Sequence, residues 1–502
     1  MDNFDVVVIG AGLGGLLSAV FLAKEGKKVV AIEQNKQIGG CLQTFSFDKK
    51  VFDSCVHYIG ALEEGQTQNR IFRYAGIMDD LKLKKLDEDC FDELVFGSDI
   101  TGFPQAQGHQ NFIDQLLPFF PKEQKALQQY VQLMEKVGDS FPLYKLRFGN
   151  ETEKSWIVGR EITETLAEIT DNKQLQNVLT GNNLLYAGQK GKTPFYIHAL
   201  VVKSYMDSAY KCKGGSARIS KLLWRKLQEY GGLIVTKEKI NQLNIENGLV
   251  KSAASESGKI FSGRQFIANV HPQKVMEWTD SALIRPVYRN RIHRAENSIA
   301  AFMLNIVLKP GKVKYVNHNI YWNKSWDSFS ALENNSRNWP GNYALYFGED
   351  KDHEGYADTL AILTYMESSI FEAWENSHNR SAQASERTKA YHDLKHQKAA
   401  LLMEEVRQRF PELMENIQSL KIATPLTFRD YMGTNDGSMY GIMANVKQPA
   451  HVRIPVNTKI ENLLLTGQNV GLHGVLGVSI SAINTCSAIL GAEYMLGKIA
   501  RD

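Results

Sequence analysis

Residues 6–15 read Val6-Val7-Val8-Ile9-Gly10-Ala11-Gly12-Leu13-Gly14-Gly15, and the architecture follows from them. The first four are apolar and β-branched with no polar break, as a strand buried on both faces of a parallel sheet requires. Behind the glycines, Leu16, Ala19, Val20, Leu22 and Ala23 keep helical spacing up to Gly26. Residues 28–32 form a second strand, and Glu33 stands at its end. Gly10 permits a tight strand-to-helix turn, Gly12 lets the backbone approach a pyrophosphate, and Gly15 lets the helix pack close to the strand. Leu13 and Gly14 lie where the helix N-terminus presents free N–H groups and its dipole to phosphates. Glu33, 18 residues beyond Gly15, can accept hydrogen bonds from ribose hydroxyls and would repel a 2′-phosphate. Strand, turn, helix, strand and acid together predict a dinucleotide site. The alternative is a glycine-rich turn that binds nothing.

The chain has 502 residues, enough to bury large cores and hold two domains or more. Its net charge of +3 is too small to argue for nucleic acid, and no basic run is interleaved with aromatics. The five cysteines, Cys41, Cys55, Cys90, Cys212 and Cys486, are widely spaced and form no CxxC. That usage predicts a reducing, cytoplasmic setting and no metal site. Acidic Asp2 and Asp5 lead into the first strand with no signal peptide. Residues 470–496 are apolar but carry His473, Asn484 and Glu493, which predicts a buried helix of a soluble domain instead of a membrane span.

Farther along, residues 41–60 alternate apolar and polar positions about a turn at Asp48-Lys49-Lys50, which predicts a hairpin. Residues 111–121 carry Phe112, Ile113, Leu116, Leu117, Phe119 and Phe120, and Leu127, Tyr130, Val131 and Met134 follow at helical spacing. This stripe is either the core of a cap domain or an amphipathic face resting on a bilayer, and the bilayer reading makes the protein peripheral on a membrane surface. A helix from Ile219 to Tyr230, followed by Gly231-Gly232, leads to short strands near 233–235, 249–250 and 266–268. Strands are predicted over 298–308 and 359–365, a charged helix over 387–410 and a loose loop over 377–386. Near the C-terminus a buried strand, 463–465, turns at Gly467-Gln468 into a helix that opens around Gly477 and Val478.

A second glycine pair, Gly39-Gly40, follows the ribose-binding acid. Together with Glu33-Gln34, Cys41, Thr44-Phe45, Phe52-Asp53, His57-Tyr58-Ile59-Gly60, Thr424-Pro425-Leu426-Thr427 and Tyr440-Gly441, it resembles the retinol saturase and carotenoid isomerase branch of the phytoene desaturase-like flavoproteins. The resemblance covers nearly the whole chain. It implies an α/β fold, α+β overall. A Rossmann-like FAD-binding domain would be assembled from residues 1–65, 211–285 and 458–502, and a mixed-sheet and helical substrate domain from 66–210 and 286–457. It implies FAD as cofactor, with the pair Gly39-Gly40 and Cys41 close to it, Ile240 touching adenine through its backbone, Gln468 beside the ribityl chain, and Gly477 and Val478 facing the flavin pyrimidine.

The implied activity is reduction of a carbon–carbon double bond of a hydrophobic polyene such as retinol. Carotenoid isomerisation and desaturation are the alternatives, and an FAD-containing lipid scaffold the non-enzymatic one. Only one dinucleotide motif with a following acid is present, so a separate electron donor or acceptor is expected. Hydride addition leaves a carbanion-like centre that needs a proton. His57 is the first candidate donor, with His198 and His473 as rivals and Tyr58 and Tyr440 as hydroxyl donors.

Overall fold

The computed structural model describes residues 3–99, 101–333, 338–378, 387–434, 436–448 and 454–501. The greater part of the predicted loop 377–386 lies outside them.

The first strand, Asn3–Ile9, pairs in parallel with Val29–Glu33 on one side and Ile260–Ala268 on the other. Leu233–Thr236 joins the free side of Val29–Glu33, and Leu463–Leu465 the free side of Ile260–Ala268, again in parallel. The antiparallel strands Leu249–Ser255 and Ile240–Glu246 extend the sheet. Val6, Val7, Val8 and Ile9 are all buried, as their unbroken apolar run requires. The helix Leu13–Lys24 is buried along nearly its whole length, packed between this sheet and the C-terminal helix Gly474–Leu490. The parallel strands therefore point their carboxyl ends at one crevice, where open α/β sheets bind ligands. This is the expected Rossmann-like domain, with strands drawn from residues 3–33, 233–268 and 463–465.

A second, mixed sheet runs in the order Ile417–Ala423, Ala300–Leu308, Ala357–Met366, Asn342–Glu349, Asn319–Asn323, Asp92–Phe96, Phe103–Gln105. Its pairings are antiparallel except Asn319–Asn323 beside Asp92–Phe96. Helices from residues 109–207 cover one face and share a core with it. The long helix Lys389–Arg409 packs in the core on the other face. The hairpin Thr44–Phe47, Lys50–Asp53 turns on Asp48 and Lys49 alone, both at positive φ. Two such residues match the twist of a tight hairpin, so Lys50 belongs to the strand and not to the turn.

Of the two readings of the aromatic stripe at 111–121, the core holds and the bilayer face does not: Phe112, Ile113, Leu116 and Phe120 are buried in the core, with Leu127, Tyr130 and Met134, and of the stripe Phe119 alone is well exposed, at 41%. Helical spacing records that a face is apolar, not what covers it. The segment after Ala423 opens on helix-start chemistry. It is the helix Pro425–Met432, started by a reciprocal Thr424/Thr427 capping box with Pro425 at its first position and closed by Gly433 at φ +77. Directly after the long helix, Pro411 begins a short one, Pro411–Glu415. The apolar stretch 470–496 folds as Gly474–Leu490 followed, after Gly491, by Ala492–Arg501, and among the described residues no helix is long and apolar enough to cross a membrane.

Candidate active site

At the crevice, the Gly-rich turn closes on Asn269, the residue just past the strand Ile260–Ala268. Asn269 Nδ2 donates to the Gly10 carbonyl at 3.2 Å. A Cβ on Gly12 would come within 2.9 Å of that amide nitrogen. One on Gly467, held at φ +96, would stand 2.6 Å from its oxygen. A Cβ on Gly15 would sit 2.0 Å from the Gly10 carbonyl. Gly15 thus serves helix–strand packing and does not line the crevice, whereas Gly10, Gly12, Leu13 and Gly14 do. No side chain caps the helix Leu13–Lys24, which leaves its first N–H groups for an anion.

Glu33 is buried at the end of its strand. Its Oε2 accepts the Ala11 N–H at 3.0 Å and its Oε1 the Asn35 N–H at 2.8 Å. A carboxylate oxygen can accept more than one hydrogen bond. The Gly39 N–H donates to the Ala11 carbonyl at 2.8 Å, and this pairing lays the second glycine pair against the first turn. Behind the pair, Asp53 accepts the Ser216 N–H and hydroxyl, each at 2.7 Å. That contact fastens the hairpin to the start of the helix Ala217–Glu229.

One cavity of about 920 Å³ runs from this crevice to the face of the mixed sheet. Gln34, Gly39, Gly40, Cys41 and Ile240 line the crevice end with Glu33. The loop and helix start at the C-terminus contribute Gly467, Gln468, Gly477 and Val478, and the helix Gly474–Leu490 has no side-chain cap either. His57, Tyr58, Tyr440 and His473 line the cavity as well. His198 does not: it is buried in the core, its ring nitrogens bonded to the Tyr130 hydroxyl at 2.8 Å and the Tyr186 hydroxyl at 3.0 Å.

Burial governs the electrostatics. Desolvation, with the Lys211 charge, lowers the His57 pKa to about 3. His57 Nε2 is buried without a hydrogen-bond partner among the described residues. Desolvation likewise brings His473 to about 4, although its Nε2 lies 3.1 Å from the Leu185 carbonyl. Burial thus favours the neutral form of both imidazoles. Burial raises the Tyr58 and Tyr440 hydroxyls well above the usual range. A hydrogen bond with Cys55 holds the Cys41 thiol below its usual value.

The N-terminal residues 8–75 match the model of the NAD(P)-binding Rossmann-like domain. The whole chain is 25% identical to an all-trans-retinol 13,14-reductase of Danio rerio, covering 99% of this chain and 87% of that one. It is 20% identical to prolycopene isomerase 1 of an Oncidium hybrid cultivar, over 99% and 86%. The chain is a relative of the retinol saturases and carotenoid isomerases. A putrescine oxidase shares its fold, with a TM-score of 0.64 at 13% identity over 97% of this chain and 99% of that one.

Against that relationship, the sequence reading passed over several cavity residues. Asn269 could have been found, because it follows a parallel strand at the carboxyl-end crevice. Tyr205, Tyr346 and Leu363 carried no signal: they sit in apolar stretches of a helix and two strands that read as ordinary core.

Proposed function

We propose that this protein is an FAD-dependent oxidoreductase that reduces a carbon–carbon double bond of a hydrophobic polyene, in the manner of a retinol saturase. The observation that carries the reading is the continuity of the cavity. A dinucleotide crevice built from two uncapped helix N-termini and Glu33 opens into a chamber walled by Leu200, Tyr205, Tyr346, Leu363, Phe428 and Tyr440. The residues fit FAD. The glycine faces at Gly12 and Gly467 leave no room for a side chain, and the cavity continues past the adenosine end. His57 Nε2 is a buried polar atom awaiting a partner.

When bound in its reduced form, FAD supplies a hydride to one carbon of the double bond. The chain's own residues do the rest. Glu33 and Asn269 hold the loops that orient the dinucleotide. The aromatic and aliphatic walls exclude water and align an extended apolar chain. The second hydrogen arrives as a proton from a group in the chamber. The division into residues 1–65, 211–285 and 458–502 for the cofactor and 66–210 and 286–457 for the substrate is part of the same proposal. The relationship to a prolycopene isomerase supports a second reading, isomerisation, which uses the same chamber. A donor that re-reduces the flavin is expected to be a separate molecule.

Purified protein tests the cofactor half of the reading. It should be yellow, carry about one equivalent of FAD released on denaturation, and bleach with dithionite. Folded, colourless protein that takes up no added FAD rules the reading out.

A further inference from the structure

Asp92 opens the strand Asp92–Phe96 and is fully buried. Its Oδ1 accepts from Asn319 Nδ2 at 2.9 Å, and its Oδ2 accepts the Tyr58 hydroxyl at 2.8 Å. The Tyr58 oxygen is 2.8 Å from that of Tyr321, which is 3.1 Å from that of Tyr346. Tyr58 and Tyr346 line the cavity, whereas Asp92 and Tyr321 lie behind them. The result is an unbroken file of hydrogen bonds from a buried carboxyl group to the chamber wall.

Each hydroxyl has one proton to donate, so the file has two states. With Asp92 ionised, Tyr58 donates to Asp92, Tyr321 to Tyr58 and Tyr346 to Tyr321. With Asp92 protonated, every donation reverses, and the Tyr346 proton is freed toward the chamber. We propose that Asp92 stores the proton that completes double-bond reduction and passes it through Tyr58 and Tyr321 to Tyr346, which delivers it to the substrate carbon. The inference rests on the function proposed above.

The balance closes. The double bond gains a hydride from the reduced flavin and a proton from Tyr346. Tyr321 replaces that proton, Tyr58 replaces the one from Tyr321, and Asp92 replaces the one from Tyr58 and is left ionised. Water reprotonates Asp92, and the oxidised flavin is re-reduced by the external donor. Tyr346 is the catalytic residue of the file, and Asp92 acts through it.

Burial brings the Asp92 pKa up to about 7, opposed by its hydrogen bonds from Asn319 and Tyr58 and by the Lys211 charge. The groups that face the carboxyl are Lys211, Tyr58, Tyr205, Tyr321, Tyr346, Cys90, Asn319 and Asn182. Lys211, the cation among them, is itself lowered to about 8 by burial. A carboxyl group that changes state near neutrality suits a proton store.

The test compares wild type, Asp92→Asn and Tyr346→Phe as FAD-loaded proteins. Infrared spectroscopy without substrate should show a protonated-carboxyl band that titrates away near pH 7. Asp92→Asn should lack it, and Tyr346→Phe should shift it by breaking the file. In anaerobic mixing of the dithionite-reduced proteins with retinol, wild-type flavin oxidation should slow as pH rises through about 7. Asp92→Asn should be slower by ~100-fold or more with a flat pH profile, while its FAD content and reduction by dithionite stay unchanged. A wild type with no such band, or a variant with the wild-type pH profile, overturns the proposal. Failure of wild type to react with any polyene would overturn the function instead, and the infrared comparison would still decide whether Asp92 holds the proton.

Discussion

His57 lies flat against Tyr346, with ring centroids 4.1 Å apart and 10° between the planes. The stack places a neutral imidazole on the wall of the chamber. Burial brings its pKa to about 3 and holds His57 in the neutral form at neutral pH, so its contribution is shape and a hydrogen-bonding nitrogen, and the proton is assigned to the file that ends at Tyr346. His57→Gln should therefore keep FAD and flavin reducibility, and the pH profile of polyene-driven flavin oxidation between pH 6 and 8 should match wild type. Stability should respond instead. A base whose folded pKa is lowered stabilises the fold fully above its unfolded value, about 6.5, and that stability is lost as pH falls toward the folded value. His57→Gln should then lose less thermal stability than wild type on acidification from about pH 6.5 to 4. Parallel melting-temperature curves would remove this account of His57.

Glu33 ties the first turn to the end of the second strand through the Ala11 and Asn35 N–H groups. Glu33→Ala removes both of these braces and, in the proposed FAD site, the carboxylate that would hold the ribose. FAD affinity should fall by about 1–3 kcal/mol, measured by fluorescence titration of the apoprotein. An unchanged dissociation constant would mean that the dinucleotide does not contact this acid.

Leu116 and Phe119 lie three residues apart and differ in kind. Leu116 is wholly buried, and Phe119 is 41% exposed. Leu116→Ala should cost about 2–5 kcal/mol of stability, whereas Phe119→Ser should cost under ~1 kcal/mol. Denaturant melts of the two variants check this. Equal, small losses would return the stripe to the surface.

How much of this was legible in the chain depends on range. The strand–turn–helix unit, Glu33 and the Asp48-Lys49 hairpin are local, and residue type at fixed spacing specifies each one. The helix Pro425–Met432 is local too, since Thr424, Pro425 and Thr427 are helix-start chemistry. The file from Asp92 to Tyr346 was not legible. It exists because Asn319 pairs with Asp92 and Tyr321 with Leu94, on strands more than 200 residues apart, and because the strand Asn342–Glu349 then brings Tyr346 alongside. Nothing near Asp92 in sequence distinguishes it from the other acids around it, Asp87, Glu88, Asp89 and Glu93. Only the assembled sheet buries it.

Reduced, FAD-loaded protein mixed anaerobically with all-trans-retinol and with carotenoids, under stoichiometric conditions, puts the proposed chemistry to a single turnover. Flavin absorbance should return as the polyene loses one double bond, with one equivalent of dihydro product by chromatography and, for protein reduced by dithionite in deuterated water, two solvent deuteriums on carbon, one carried through the flavin and one from the proton donor. A flavin that stays reduced while every polyene is recovered unchanged would show that this cavity does not reduce polyenes.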